Sequence, residues 1–190
     1  MRIRWFLTLG YRLNLVGLLA GFLLSYVALS DRAWWVLVGG SLERPAFLAQ
    51  LSPFRVTLTA LGEPVIIPII LYLVLGTRLS ILVVAGMMIA GSLTVAKSWS
   101  KHLFSLDGFW TPLGFLIFLF IGSEFLKLKL GLSIPLAGRS LVDYALPYGE
   151  EKILAHIPVA AEITWDYWMA LATGLLSLAA KLLHPNGQRA

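Results

Sequence analysis

The sequence predicts an all-α, polytopic transmembrane bundle of about five spans, with four to six possible, on three observations. Hydrophobic residues make up 58% of the 190-residue chain and charged residues only 13%, about half the charged share of a soluble domain. The mean hydropathy is +0.83. Several stretches approach the ~20 apolar residues with which a helix crosses a ~30 Å hydrocarbon core. A soluble fold of this size has too little interior for so many apolar side chains. Lipid solvates them directly, provided that the backbone satisfies its own polar groups in helices.

Five segments meet this description, at 13–30, 56–76, 79–98, 109–130 and 161–183, and the whole chain (1–190) reads as a single transmembrane domain. The first is free of charge. The second carries one, Glu63. Thr77-Arg78 follows Gly76 directly, a link so short that it predicts an antiparallel hairpin of the second and third spans, with Gly76 as helix C-cap. The fourth lengthens past Glu124 if Lys127 and Lys129 extend their heads toward water. The fifth is entered through Trp165-Asp166-Tyr167-Trp168, which reads as an aromatic belt. Between the first two spans, 31–55 holds Trp34, Trp35, Gly39, Gly40, Pro45 and Pro53, and reads as an interfacial segment. The longest polar connection, 133–160, contains Asp143, Glu150, Glu151 and Lys152.

Arg2 and Arg4 before an apolar run resemble a signal sequence, but the length of the run and the Tyr11, Arg12 and Asn14 interruptions favour a retained signal-anchor helix. The three arginines place the N-terminus in the cytoplasm and the chain in the cytoplasmic (inner) membrane. The net charge of +5 and a pI near 9.7 raise nucleic acid as a partner. The basic residues flank apolar runs, so membrane lipids are the expected partner and nucleic acid is not. The absence of cysteine excludes thiolate chemistry and disulfides.

An ionisable residue inside a span is costly and marks a candidate site. Glu63, with Pro64 beside it and Pro68 one turn on, is the first candidate. Lys97 is its expected ion-pair partner, with Lys101 and His102 completing an intramembrane polar cluster. A second cluster gathers Glu124, Asp166, Arg78 and Lys127. Three pairs of small residues, Gly17 with Gly21, Gly86 with Ala90, and Ala170 with Gly174, have the spacing of close helix packing.

Catalytic, metal and cofactor residues are not assigned. His102, His156 and His184 lie outside mid-span, against a haem clamped between helices. HExxH, GxSxG and P-loop signatures are absent. Leu58-Thr59-Ala60-Leu61-Gly62 resembles a span of the lipid phosphate phosphatases, but that family's catalytic elements are missing and the resemblance is not adopted.

The expected function is therefore a non-enzymatic membrane subunit docking into a larger secretion, transport or respiratory complex, beside a membrane-protein partner or a second copy. The alternatives are a small ion- or proton-coupled transporter or channel using Glu63, and a membrane enzyme acting on a lipid phosphate through Lys97, Lys101, His102 and Arg139.

Overall fold

Trp35-Val36-Leu37-Val38 alternates between two surfaces with the period of a strand, and Val56-Thr57-Leu58-Thr59 sets apolar against hydroxyl residues with the same period. In the computed structural model, which describes residues 13–41, 45–148 and 151–184, both stretches are extended. The chain forms α1 (Leu15–Leu29), β1 (Trp35–Gly40), β2 (Pro45–Ser52), β3 (Arg55–Ala60), β4 (Glu63–Pro64), α2 (Pro68–Leu93), a 3₁₀ turn (Ser100–Leu103), α3 (Asp107–Leu130), β5 (Gly138–Tyr148), β6 (Glu151–Ile163) and α4 (Trp165–Leu183). The strands make one antiparallel six-stranded sheet in the order β4-β3-β2-β1-β6-β5.

This corrects the all-α bundle of five spans. The interfacial segment at 31–55 is mostly β1 and β2, and the polar connection at 133–160 is mostly the β5–β6 hairpin. The second expected span opens with strand residues of β3 and β4, which take up a third of it. Its remainder joins the third as one unbroken 26-residue helix, α2, in which Thr77-Arg78 is no turn at all. Pro68 occupies the first turn of that helix, where its missing N–H costs nothing. Among the described residues, α2 and the segment ending in α3 have the length and apolarity to cross a membrane. Arg2, Arg4, Arg12 and Glu150 lie outside the described residues.

The β3–β4 connection shows why residues 56–76 fail as a span. Leu61 and Gly62 both adopt positive φ, 52° and 87°, the pattern of a two-residue hairpin loop.

The helices lie to one side of the sheet. α1 packs between α2 and α4, α3 packs on α4, and α2 and α3 scarcely touch. Chain order makes α1 and α3 run toward the sheet and α2 and α4 away from it. At 1.5 Å per residue, α1 and α4 are about 22 and 28 Å long, against about 39 and 36 Å for α2 and α3. Close approach is enabled at Gly17, which faces Ser92 and Phe104, at Gly21 against Ala85 and Ile89, and at Gly174 against Gly108 and Phe109.

One sheet face is buried against the helices through Trp35, Leu37, Val142, Val159 and Ala161. The opposite face carries Gln50, Thr57, Glu162 and Arg139, half-buried or exposed, as in an antiparallel sheet with one wet side. Trp34, just before β1, makes edge contacts with Phe54, Phe115 and Tyr167, from the β2–β3 turn, α3 and α4.

Two expectations follow for thermal unfolding in detergent. A Cβ at Gly174 would sit 2.7 Å from the Gly108 carbonyl oxygen, so Gly174→Val should cost about 1–3 kcal/mol. Gly86 faces open space, so Gly86→Ala should be neutral or slightly stabilising. Equal losses in both would contradict the packing described. Leu61 is exposed and gives up no packing, so Leu61→Gly should stabilise by about 1 kcal/mol by removing the left-handed strain; an unchanged melting temperature would refute this.

Candidate functional site

At the end of the bundle that meets the sheet, three arginines and two aspartates form a charged collar. Asp31, in the link between α1 and β1, accepts a 2.5 Å hydrogen bond from Arg78 Nη2, which also donates to the Phe54 carbonyl at 2.8 Å. Arg55 Nη1 donates to the Asp31 carbonyl oxygen at 2.7 Å and Arg55 Nε to Thr57 Oγ1 at 3.2 Å. Arg32 Nη1 reaches Asp166 Oδ1 at a long 3.5 Å. Of these contacts, Arg78–Asp31 and Arg32–Asp166 are ion pairs. In water such partly exposed pairs contribute about 0–1 kcal/mol each, so the collar is a place before it is a source of stability.

A cleft of about 440 Å³ opens beside it, lined by Tyr26, Leu29, Ser30, Asp31, Arg32 and Arg55. Its floor is apolar and belongs to α1, while its rim is charged.

At the opposite end of the bundle the chemistry is buried. Asn14 caps α1 by accepting from the Gly17 N–H through Oδ1 at 3.0 Å, and its Nδ2 donates to the Ala180 carbonyl at 3.0 Å. Those two backbone partners fix which way the amide points. Its second Nδ2 proton then faces His184 Nδ1 at 3.4 Å, leaving the histidine proton on Nε2, where it meets Ser100 Oγ at 2.8 Å. Ser100 in turn donates to the Lys97 carbonyl at 2.7 Å.

The order Ser100–His184–Asn14 has the outline of a hydrolase triad, but Asn14 turns an amide N–H toward Nδ1 where a triad's third member accepts one, which assigns the proton to the wrong nitrogen. A general base needs a free Nε2 to accept from the hydroxyl; here Nε2 is a donor. All three residues are also buried, Asn14 and Ser100 to 0% and 1% exposure. The network is a fully bonded latch. His184 lies beyond the last residue of α4, and desolvation by burial lowers its pKa from the ordinary value.

The sequence-predicted clusters do not assemble. Glu63 is exposed in β4 at the sheet edge, and Lys97, Lys101 and His102 are exposed beyond the other end of α2, about 39 Å of helix away. Arg139 is exposed in β5 and likewise remote from them. Of the second cluster, Arg78 and Asp166 both join the collar but with Asp31 and Arg32 as partners, while Glu124 and Lys127 lie exposed on α3. Gly86 and Ala90 are on the outer face of α2, whereas Gly17, Gly21, Ala170 and Gly174 are on packed faces. Sequence reasoning missed Asn14, Ser100 and His184 as a set. The one signal was an asparagine immediately before an apolar run, the N-cap signature. No group of three or more metal-ligating side chains occurs among the described residues.

No protein-family model matches the chain, and no curated protein matches it.

The latch sets a pH expectation. A histidine whose folded pKa lies below its unfolded value near 6.5 makes the unfolded chain take up the proton first. Stability is then full above about pH 6.5 and declines as pH falls toward the folded value. Protonation also sets an Nδ1–H against the Asn14 amide protons. Melting temperature in detergent should fall between pH 7.5 and 5.5 in the native chain and fall less in His184→Gln; identical slopes would refute the assignment. Asn14→Ala, which loses a cap and leaves the Ala180 carbonyl without its partner, should cost about 1–3 kcal/mol at pH 7.5.

Proposed function

We propose that the chain is a non-enzymatic integral membrane subunit, whose helices lie in the bilayer and whose sheet and overhanging helix ends dock a protein partner. The observation that carries this reading is the mismatch between helix lengths and exposed apolar surface.

Only 17% of the most apolar window of α2, and 28% of that ending in α3, is buried inside the chain. A core helix of a soluble protein would be mostly covered, so hydrocarbon is the solvent that fits these surfaces. The short helices suggest where the bilayer lies. α4 is about 28 Å long, close to the ~30 Å hydrocarbon core. At one end of it are Trp165, Trp168 and the collar; at the other are Lys97, Trp99, Lys101 and Lys181, all exposed. Indoles and basic side chains are what interfaces select.

Relative to that layer, α2 and α3 are too long. Arg78 meets Asp31 at the collar, so Pro68 to Thr77 extends past it by about 15 Å. Phe115 stacks on Tyr167 near the start of α4, so the last three turns of α3 extend similarly. These overhangs expose Ile69, Leu71, Tyr72 and Leu73 on one side and Phe120, Ile121, Phe125 and Leu128 on the other. An apolar cleft of about 300 Å³ between the β2–β3 turn and α3 adds a pocket for an inserted side chain. Apolar surface of this extent beyond the lipid calls for a protein partner. The collar end then faces away from the cytoplasm, because Arg2, Arg4 and Arg12 flank the opposite end of α1 in sequence.

The transporter reading rested on a carboxylate within a span, and Glu63 sits on an exposed strand instead. The lipid-phosphate enzyme needed Arg139 beside Lys97, Lys101 and His102, which occupy the other end of the bundle.

Photo-crosslinking side chains introduced in membranes test the proposal. Tyr72 and Phe125 replaced by a benzoyl-phenylalanine should give a discrete protein adduct, while the same probe at the exposed Val83, within the layer, should give lipid adducts only. Lipid adducts alone at all three positions would defeat the docking reading. A chain that remains monodisperse in buffer without detergent would defeat the membrane reading itself.

A further inference from the structure

The collar cleft has a composition suited to a ligand that is apolar at one end and anionic at the other. We infer that it binds the phosphate of an anionic phospholipid, with Arg32 and Arg55 as the phosphate ligands; this rests on the membrane reading above.

The floor of the cleft is the outward face of α1. Tyr26 and Leu29 are 49% and 61% exposed there and, in a bilayer, border an acyl chain. One turn above them the chain leaves the helix and supplies Ser30, Asp31 and Arg32 to the rim, with Arg55 entering from the start of β3. The site therefore straddles the level at which hydrocarbon gives way to headgroups.

The donors are free to bind. Among the described residues Arg55 uses Nε and Nη1 within the chain, leaving Nη2. Arg32 makes a single long side-chain bond through Nη1, and its side chain is 65% exposed, leaving Nε and Nη2. Guanidinium groups match phosphate oxygens in geometry as well as charge.

The charge is also right. Arg78 Nη2 bonds one oxygen of the Asp31 carboxylate, whose side chain is otherwise exposed, and Asp166 offsets Arg32 only weakly across 3.5 Å. Three arginines against two aspartates leave the collar one positive charge in excess, which a phosphodiester neutralises. Tyr26 also lines the cleft, a residue type suited to the boundary between chain and headgroup.

The test uses the full chain in an uncharged detergent, with bound lipid counted by native mass spectrometry. Dioleoyl phosphatidylglycerol should be retained over dioleoyl phosphatidylcholine by about thirtyfold, roughly fivefold for each arginine near the anion. Arg32→Gln, which gives up only the long contact to Asp166, should lower the preference about fivefold at an unchanged melting temperature. Adding Arg55→Gln should abolish it. Arg139→Gln, on the exposed sheet, should leave it intact. Inorganic phosphate as competitor separates the sources: failure to displace the glycerolipid supports a lipid site, and full displacement at millimolar phosphate overturns it in favour of a free-phosphate site. Equal retention of both lipids by the native chain, or an Arg32→Gln variant with native selectivity, overturns the inference. The membrane reading would survive either result, since it fails only if the chain needs no detergent.

Discussion

The indole of Trp34 is where two kinds of structure with incompatible periodicities are made to meet. Its ring lies edge-on to Phe54 at 5.6 Å, Phe115 at 5.3 Å and Tyr167 at 6.0 Å, so the sheet, α3 and α4 share one contact point. Its backbone is committed as well: the N–H donates to Leu51 and the carbonyl accepts from Thr164. Edge-to-face pairs contribute about 1 kcal/mol each beyond their buried area. More importantly, Trp34 is held on both strand neighbours, so the sheet cannot rotate against the bundle without breaking ladder bonds. The clamp sits where the pairing of β1 with β2 and β6 begins, beside the collar.

The collar is a consequence of the same join. A sheet with one wet face and a bundle with apolar outer faces need different surroundings, and the residues between them must be compatible with both. Asp31, Arg32, Arg55, Arg78 and Asp166 all fall on that boundary although they come from four separate places in the chain. Arg78 explains how a charge is tolerated within so apolar a helix as α2. Its guanidinium leaves the helix surface for Asp31 and the Phe54 carbonyl, and so sits at the junction of helix and sheet.

The apolar character of the chain was legible from composition, and the helices at 15–29, 107–130 and 165–183 from uncharged runs. The sheet was not read, because total hydropathy ignores period. Val56 to Ala60 scores as apolar over any window, yet its alternation of Val, Leu and Ala with Thr is a strand pattern. The Leu61-Gly62 turn followed by Pro64 then ends any possible helix. The reverse error occurred at Thr77-Arg78, where a polar pair suggested a turn; only the distant Asp31 shows why the helix continues. The clusters built around Glu63 and Lys97 failed for the same reason, since a single long helix separates what a hairpin would have joined. The Asn14–His184–Ser100 latch was beyond local reading, because its members share no element and no periodicity.

That latch joins residues 170 positions apart, and this has a consequence for biogenesis. At roughly 5–20 residues per second of synthesis, Asn14 emerges on the order of 10–30 s before the histidine and the Ala180 carbonyl that complete its bonding. During that interval the nascent chain holds a polar amide at the start of α1 without its native acceptor. Closure of the bundle therefore waits for synthesis of α4, and a ribosome stalled within α4 would present cellular quality control with an unsealed amide.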